Sequence, residues 1–144
     1  MRVDVRFQGA RRPARDEARL IGLSEKRLAH VREVVLSVDG RPLVFAHSIA
    51  TPRDLRGAWR AVTRLGTRPL AAALFADRRV QREALQFCHI GRHHYLYKRV
   101  QNAGLAPPSA LWARRSLFEF RGKPLLVTEV FLPSILQPDR ARGR

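Results

Sequence analysis

A chain of 144 residues with 45% hydrophobic content is long enough to bury one core and too apolar to be disordered, and its length argues for one domain. No apolar run approaches the roughly 18 residues of a membrane-spanning helix, no signal-peptide core follows Met1-Arg2-Val3, and the single cysteine, Cys88, excludes an internal disulfide, so the cytoplasm is the expected location. The net charge of +16 is almost all arginine, with Lys26, Lys98 and Lys123 the lysines; it is scattered along the chain, which makes nucleic acid an unlikely partner and a field that draws in an anionic metabolite the milder reading.

Val3 to Phe7 alternates apolar and charged residues, the pattern of a strand with one wet face. Residues 9–28 are polar and arginine-rich and read as a connection with one helical turn. His30 to Val38 is a strand, Asp39-Gly40 a hairpin turn, and Pro42 to Ala50 the return strand. Thr51-Pro52-Arg53-Asp54 opens a helix, since Thr51 can cap, Pro52 suits the first helical position and Asp54 meets the positive end of the dipole. Leu55, Trp59, Val62 and Leu65 form its apolar stripe, and Gly66 stops it. A second short helix is predicted from Pro69 to Phe75, and a strand from Glu83 to Ile90. The period of His93 to Asn102 is ambiguous. Gly104 to Ser109 is a loop, Leu111 to Phe120 a strand, Arg121-Gly122-Lys123 a turn, and Pro124 to Leu132 a long apolar strand ended by Pro133. The sum is an α+β domain over residues 1–136: a mainly antiparallel sheet of five to six strands with short helices. Residues 137–144 read as a basic, disordered tail.

Two charged residues lie where a pleated strand puts apolar ones. Glu129 alternates with Leu125, Val127 and Phe131 in a strand apolar on both faces. A carboxylate there is paired, protonated or at a cavity wall, because burying it unpaired costs several kcal/mol. Arg32 shares a face with Val34, Leu36 and Val38, while Glu33 points the other way. A buried guanidinium calls for a carboxylate that fits its fork. That partner is either Glu129, in a salt bridge without a ligand, or the carboxylate of a bound acid. Arg114 and Arg115 lie on opposite faces of their strand, so one faces solvent and the other is available to an anion. The spacing of His89 and His93 would put both on one helical face, but no carboxylate cluster accompanies them and no metal site is expected. Cys88 with a neighbouring histidine lacks an orienting third group. There is no glycine-rich phosphate loop.

Read together, Val31-Arg32-Glu33-Val34, the Asp39-Gly40 turn, Leu65-Gly66-Thr67-Arg68-Pro69-Leu70, Trp112-Ala113-Arg114-Arg115-Ser116 and the run from Gly122 to Pro133 resemble the chorismate lyase family, over roughly residues 30–134. The resemblance implies a mainly antiparallel sheet whose helical flaps cover an internal ligand cavity. It implies elimination of pyruvate from chorismate to give 4-hydroxybenzoate for ubiquinone, with no metal or organic cofactor and a monomeric protein. By the same resemblance Arg32 binds the ring carboxylate, Glu129 meets the ring hydroxyl, and the backbone of Leu70 lines the site. Members carry a further helical stretch ahead of the segment resembling Val3–Phe7, including one more ligand-contacting side chain. Its lack of a counterpart here leaves open a misassigned start, a fragment or an open cavity. The stretch between Ile90 and Leu111 is also longer and more basic than the family pattern. Competing expectations are a module that binds a small aromatic acid without turning it over, and a basic nucleic-acid-binding protein.

Overall fold

The computed structural model describes residues 1–83 and 85–136, apart from the side chains of Ala72, Ala73, Phe75 and Leu136. Its strands are β1 (Arg2–Arg11), β2 (Ala29–Val38), β3 (Arg41–Ala50), β4 (Gln81–Arg82), β5 (Gln86–Gly91), β6 (Ala110–Phe120) and β7 (Lys123–Phe131). They form one antiparallel sheet in the order β1-β2-β3-β7-β6-β4, with β5 also pairing β6. Two tight hairpins hold its register. Asp39 and Gly40 (φ 51° and 76°) join β2 to β3, and Arg121 and Gly122 (φ 53° and 74°) join β6 to β7. Paired positive φ values match the right-handed twist of the flanking strands.

Among the described residues, seven strands stand where five to six were expected. The additional strand is β4, whose Gln81 and Arg82 lie just ahead of the predicted strand Glu83–Ile90, which corresponds to β5. Arg82 stands opposite Phe118 and Gln86 opposite Arg115, so one extra residue is accommodated between β4 and β5 while both follow β6.

Residues 9–28 hold more structure than one turn. β1 runs to Arg11, and α1 (Arg15–Ile21) follows. This helix lacks a side-chain cap at Ala14, whose backbone N–H instead donates to Glu17 Oε1 at 3.2 Å. The predicted helix after Thr51 is broken at Gly57 into α2 (Pro52–Arg56) and a 3-10 turn (Arg60–Arg64), yet Leu55, Trp59, Val62 and Leu65 are all buried as the stripe required. Then come α3 (Leu70–Ala76) and α4 (Tyr95–Asn102), the latter in the ambiguous stretch. The expected tail at 137–144 lies outside the described residues.

The helices divide between the two faces of the sheet. α2, the 3-10 turn and α3 pack with Phe118, Phe120, Leu125 and Val127 on one face. α4 covers Val35, Phe45, Ala113 and Val130 on the other, where α1 adds Ile21 against Val31, Ile49 and Leu126. Among the described residues, no helix is long and apolar enough to cross a membrane.

Candidate active site

Alternation within strands and register between them bring one set of side chains to the α3 face. Arg32 stands opposite Ser48, and Ser48 opposite Val127; Val34 stands opposite Ala46, Ala46 opposite Glu129, and Glu129 opposite Arg114. Between these positions and α3 lies a cavity of about 220 Å³. Its wall is largely aliphatic and aromatic, with Val34, Leu36, Leu74, Phe118 and Val127, and its charged residues are Arg32, Arg82, Arg114 and Glu129.

Arg32 is only 2% exposed. Its Nη2 donates to the carbonyls of Gly66 (2.9 Å) and Arg68 (3.3 Å), in the segment that leads into α3. Its Nε is buried with no hydrogen-bond partner among the described residues. Burial pushes its pKa below the ordinary arginine value, because a desolvated cation without a counter-charge is disfavoured.

Glu129 does not pair with Arg32. Its carboxylate accepts from Arg114, Nε to Oε1 at 2.8 Å and Nη2 to Oε2 at 3.2 Å. The hydrogen bond to Glu129 raises the Arg114 pKa against the opposing effect of burial. This pair is the more open end of the cavity, with side chains 36% and 24% exposed. Leu70 also lines the cavity as the first residue of α3, where a backbone N–H has no partner within its own helix.

The other sequence candidates fall elsewhere. Arg115 faces the opposite side and bonds Asp16 (2.7 Å) and Gln86 (3.0 Å). His89 is on β5 with its ring centroid 3.6 Å from that of Trp112, whereas His94 caps α4 by accepting from the Leu96 N–H. A strand therefore replaces the helical face that the His89–His93 spacing invited. Among the described residues, no cluster of three or more His, Cys, Asp or Glu is placed to hold a metal.

Two features escaped sequence reasoning. Arg82 reaches the cavity wall from β4 and donates from Nε and Nη2 to Ser116 Oγ (3.2 and 2.9 Å). The second is a buried network on the α1 and α4 face. His47 binds Glu17 Oε2 through Nε2 (2.7 Å) and Glu33 Oε2 through Nδ1 (2.8 Å), and Arg99 grips Glu33 through Nε and Nη2. His47, which shares its face of β3 with Phe45 and Ile49, was the available signal, of the same kind that singled out Glu129.

The description Chorismate lyase belongs to a family whose sequence profile matches residues 1–141. The chain belongs to the chorismate lyase family. Chorismate lyase family relatives, each named Probable chorismate pyruvate-lyase, include one from Aromatoleum aromaticum that is 51% identical, over 94% of this chain and 74% of its own. One from Thiobacillus denitrificans is 45% identical over 92% and 71%, and one from Nitrosomonas europaea 44% over 93% and 75%. Membership of the chorismate lyase family makes this protein a lyase. Solved structures of the same fold are more distant in sequence. The PhnF C-terminal domain has a TM-score of 0.69 at 14% identity, covering 94% of this chain and 84% of that one. The C-terminal domain of the histidine utilization repressor from Pseudomonas syringae pv. tomato has 0.67 at 11%, covering 99% and 96%.

Proposed function

We propose that this lyase removes pyruvate from chorismate to leave 4-hydroxybenzoate for ubiquinone biosynthesis, with Arg32 and Glu129 at the two ends of the ring. The observation that carries the reading is the buried Nε of Arg32, without a partner among the described residues, in an apolar cavity that has a carboxylate at its far end. An unsatisfied buried donor costs about 1–3 kcal/mol. A substrate carboxylate would relieve that cost and neutralise the desolvated cation. Arg32 and Glu129 are two strands and two residues apart on one face, about 12 Å between Cα atoms from sheet spacings. That separation leaves room for one para-substituted ring between the side-chain ends. The backbone of Leu70 closes the cavity from the helix side.

The reaction needs no outside oxidant or base. The ether C–O bond to the ring breaks, and the hydrogen on the neighbouring hydroxyl-bearing carbon ends on the enolpyruvyl methylene, which becomes the methyl group of pyruvate. The ring becomes aromatic, so the driving force belongs to the substrate. The protein's part is to bind the dianion, exclude water and hold the ether side chain in a reactive geometry. Arg32 anchors the ring carboxylate, and Glu129 accepts from the hydroxyl as it becomes a phenol.

The test is an absorbance assay for 4-hydroxybenzoate formed from chorismate by purified protein without added metal. Product that disappears in Arg32→Ala supports the assignment. A folded protein that binds 4-hydroxybenzoate but makes none would return the chain to the reading of a non-catalytic aromatic-acid binder. We also place the protein in the cytoplasm as a monomer. The exposed thiol of Cys88 suits a reducing compartment, and a dimer on sedimentation would refute the monomer.

A further inference from the structure

Among the described residues, the cavity wall carries three guanidinium groups, Arg32, Arg82 and Arg114, and one carboxylate, Glu129, which pairs with Arg114. The lyase substrate carries two carboxylates, and its aromatic product only one. On the reading above, Arg32 at the buried end takes the ring carboxylate, which leaves the second carboxylate to the Glu129 end.

Substrate chemistry places the other carboxylate there too. The enolpyruvyl ether sits on the ring carbon next to the one that bears the hydroxyl. A ring whose hydroxyl meets Glu129 therefore carries its second carboxylate at the Glu129 end, within reach of the partner of Glu129. That partner is Arg114. It uses Nε and Nη2 on Glu129 (2.8 and 3.2 Å), and its Nη1 makes no hydrogen bond among the described residues. The Phe131 ring lies under the guanidinium at 5.6 Å and fixes its plane. Arg82 is held on Ser116 and lies over the Phe118 ring at 5.5 Å.

We propose that Arg114 anchors the enolpyruvyl carboxylate, a contact the substrate makes and the aromatic product cannot; the assignment rests on the lyase reading of the cavity. Arg114 would thus serve two carboxylates, one edge of the fork orienting Glu129 and the other nitrogen holding the leaving group. The leaving group lies at the more exposed end, from which pyruvate departs while Arg32 retains the benzoate.

The experiment compares three quantities in wild type, R114Q and R114K. They are kcat/KM for chorismate, the Kd of 4-hydroxybenzoate, and the Kd of 3-(carboxymethoxy)-4-hydroxybenzoate, a stable dianion with its second carboxylate on an ether at the corresponding ring position. In R114Q, kcat/KM and dianion affinity should each fall about 10- to 100-fold, the worth of a charge-assisted hydrogen bond. The 4-hydroxybenzoate Kd should change less than about threefold. R114K, which keeps the charge, should recover most of the dianion binding. Equal weakening of both ligands in R114Q would reduce Arg114 to a holder of Glu129 and overturn the proposal, as would a wild type that binds the dianion no tighter than the monoanion. Normal wild-type turnover with kcat/KM unchanged in R114Q overturns this assignment alone. A wild type with no turnover overturns the lyase reading and this assignment with it.

Discussion

Arg32 and Glu33 are neighbours on β2, and the pleat sends them to opposite faces of the sheet, where folding treats them differently. Both are almost wholly buried. On the α1 and α4 face, Glu33 belongs to a closed set: two carboxylates, Glu17 and Glu33, are answered by His47 and Arg99. Burial works to lower the His47 pKa, but its hydrogen bonds to Glu17 and Glu33 prevail and raise it to about 9. Burial likewise works to raise Glu33, and the bonds from His47 and Arg99 hold it below the usual carboxylate range. On the cavity face, Arg32 has, among the described residues, two backbone carbonyls, an unpartnered Nε and no carboxylate in its hydrogen-bond shell. A charge cluster that completes itself stabilises the fold, whereas one left incomplete beside a cavity is available to a ligand.

The largest separation between the faces should appear in Arg32→Ala. We expect kcat/KM for chorismate to fall about a thousandfold, or about 4 kcal/mol, while stability falls by only about 1–3 kcal/mol, because the carbonyls of Gly66 and Arg68 lose a donor but no protein carboxylate loses its partner. A large drop in melting temperature with turnover intact would invert the comparison. His47→Leu should do the reverse. Removing the imidazole leaves Glu17 and Glu33 facing each other under α1, and urea unfolding should show a loss of about 3–5 kcal/mol, while the folded fraction keeps its affinity for 4-hydroxybenzoate. If that affinity fell in step with stability, the two faces would be coupled.

The pH dependence of stability sharpens the same contrast. The folded pKa of His47 lies above its ordinary 6.5, so its contribution is complete below 6.5 and disappears as pH rises through about 9. The Glu33 pKa is depressed from its ordinary 4.5, so its contribution is present above 4.5 and is lost as pH falls through the folded value. Thermal melts should show a plateau between these limits and an alkaline decline that His47→Leu abolishes. Survival of that decline in the variant would assign it to other groups. The smallest effect is expected of Glu129→Gln, which keeps an acceptor for Arg114. Calorimetry should find 4-hydroxybenzoate bound about tenfold more weakly, and its stabilising shift in melting temperature should shrink accordingly. An unchanged shift would remove Glu129 from the ligand's surroundings.

Much of the frame was legible in the sequence. Strands β2, β3, β6 and β7, the turns at Asp39-Gly40 and Arg121-Gly122, and the buried stripe Leu55, Trp59, Val62 and Leu65 follow from patterns a few residues long. The opposite facing of Arg32 and Glu33, and of Arg114 and Arg115, follows in the same way, because alternation is a property of each strand alone. The helix α1 was not legible, since its N-terminus lacks a capping side chain and its buried face includes Glu17. Strand β4 was hidden too, because two residues, Gln81 and Arg82, are too few to show a period.

By itself, then, the sequence determined which side chains share a face and which of them are chemically out of place there. Only the tertiary structure decided which of them meet. Ser48 and Ala46 stand opposite Val127 and Glu129 because β7 inserts between β3 and β6, and that register gives Glu129 to Arg114 instead of Arg32. Strand order and register are set by the summed burial and hydrogen bonding of segments some 80 positions apart in the chain, a sum that no local window contains.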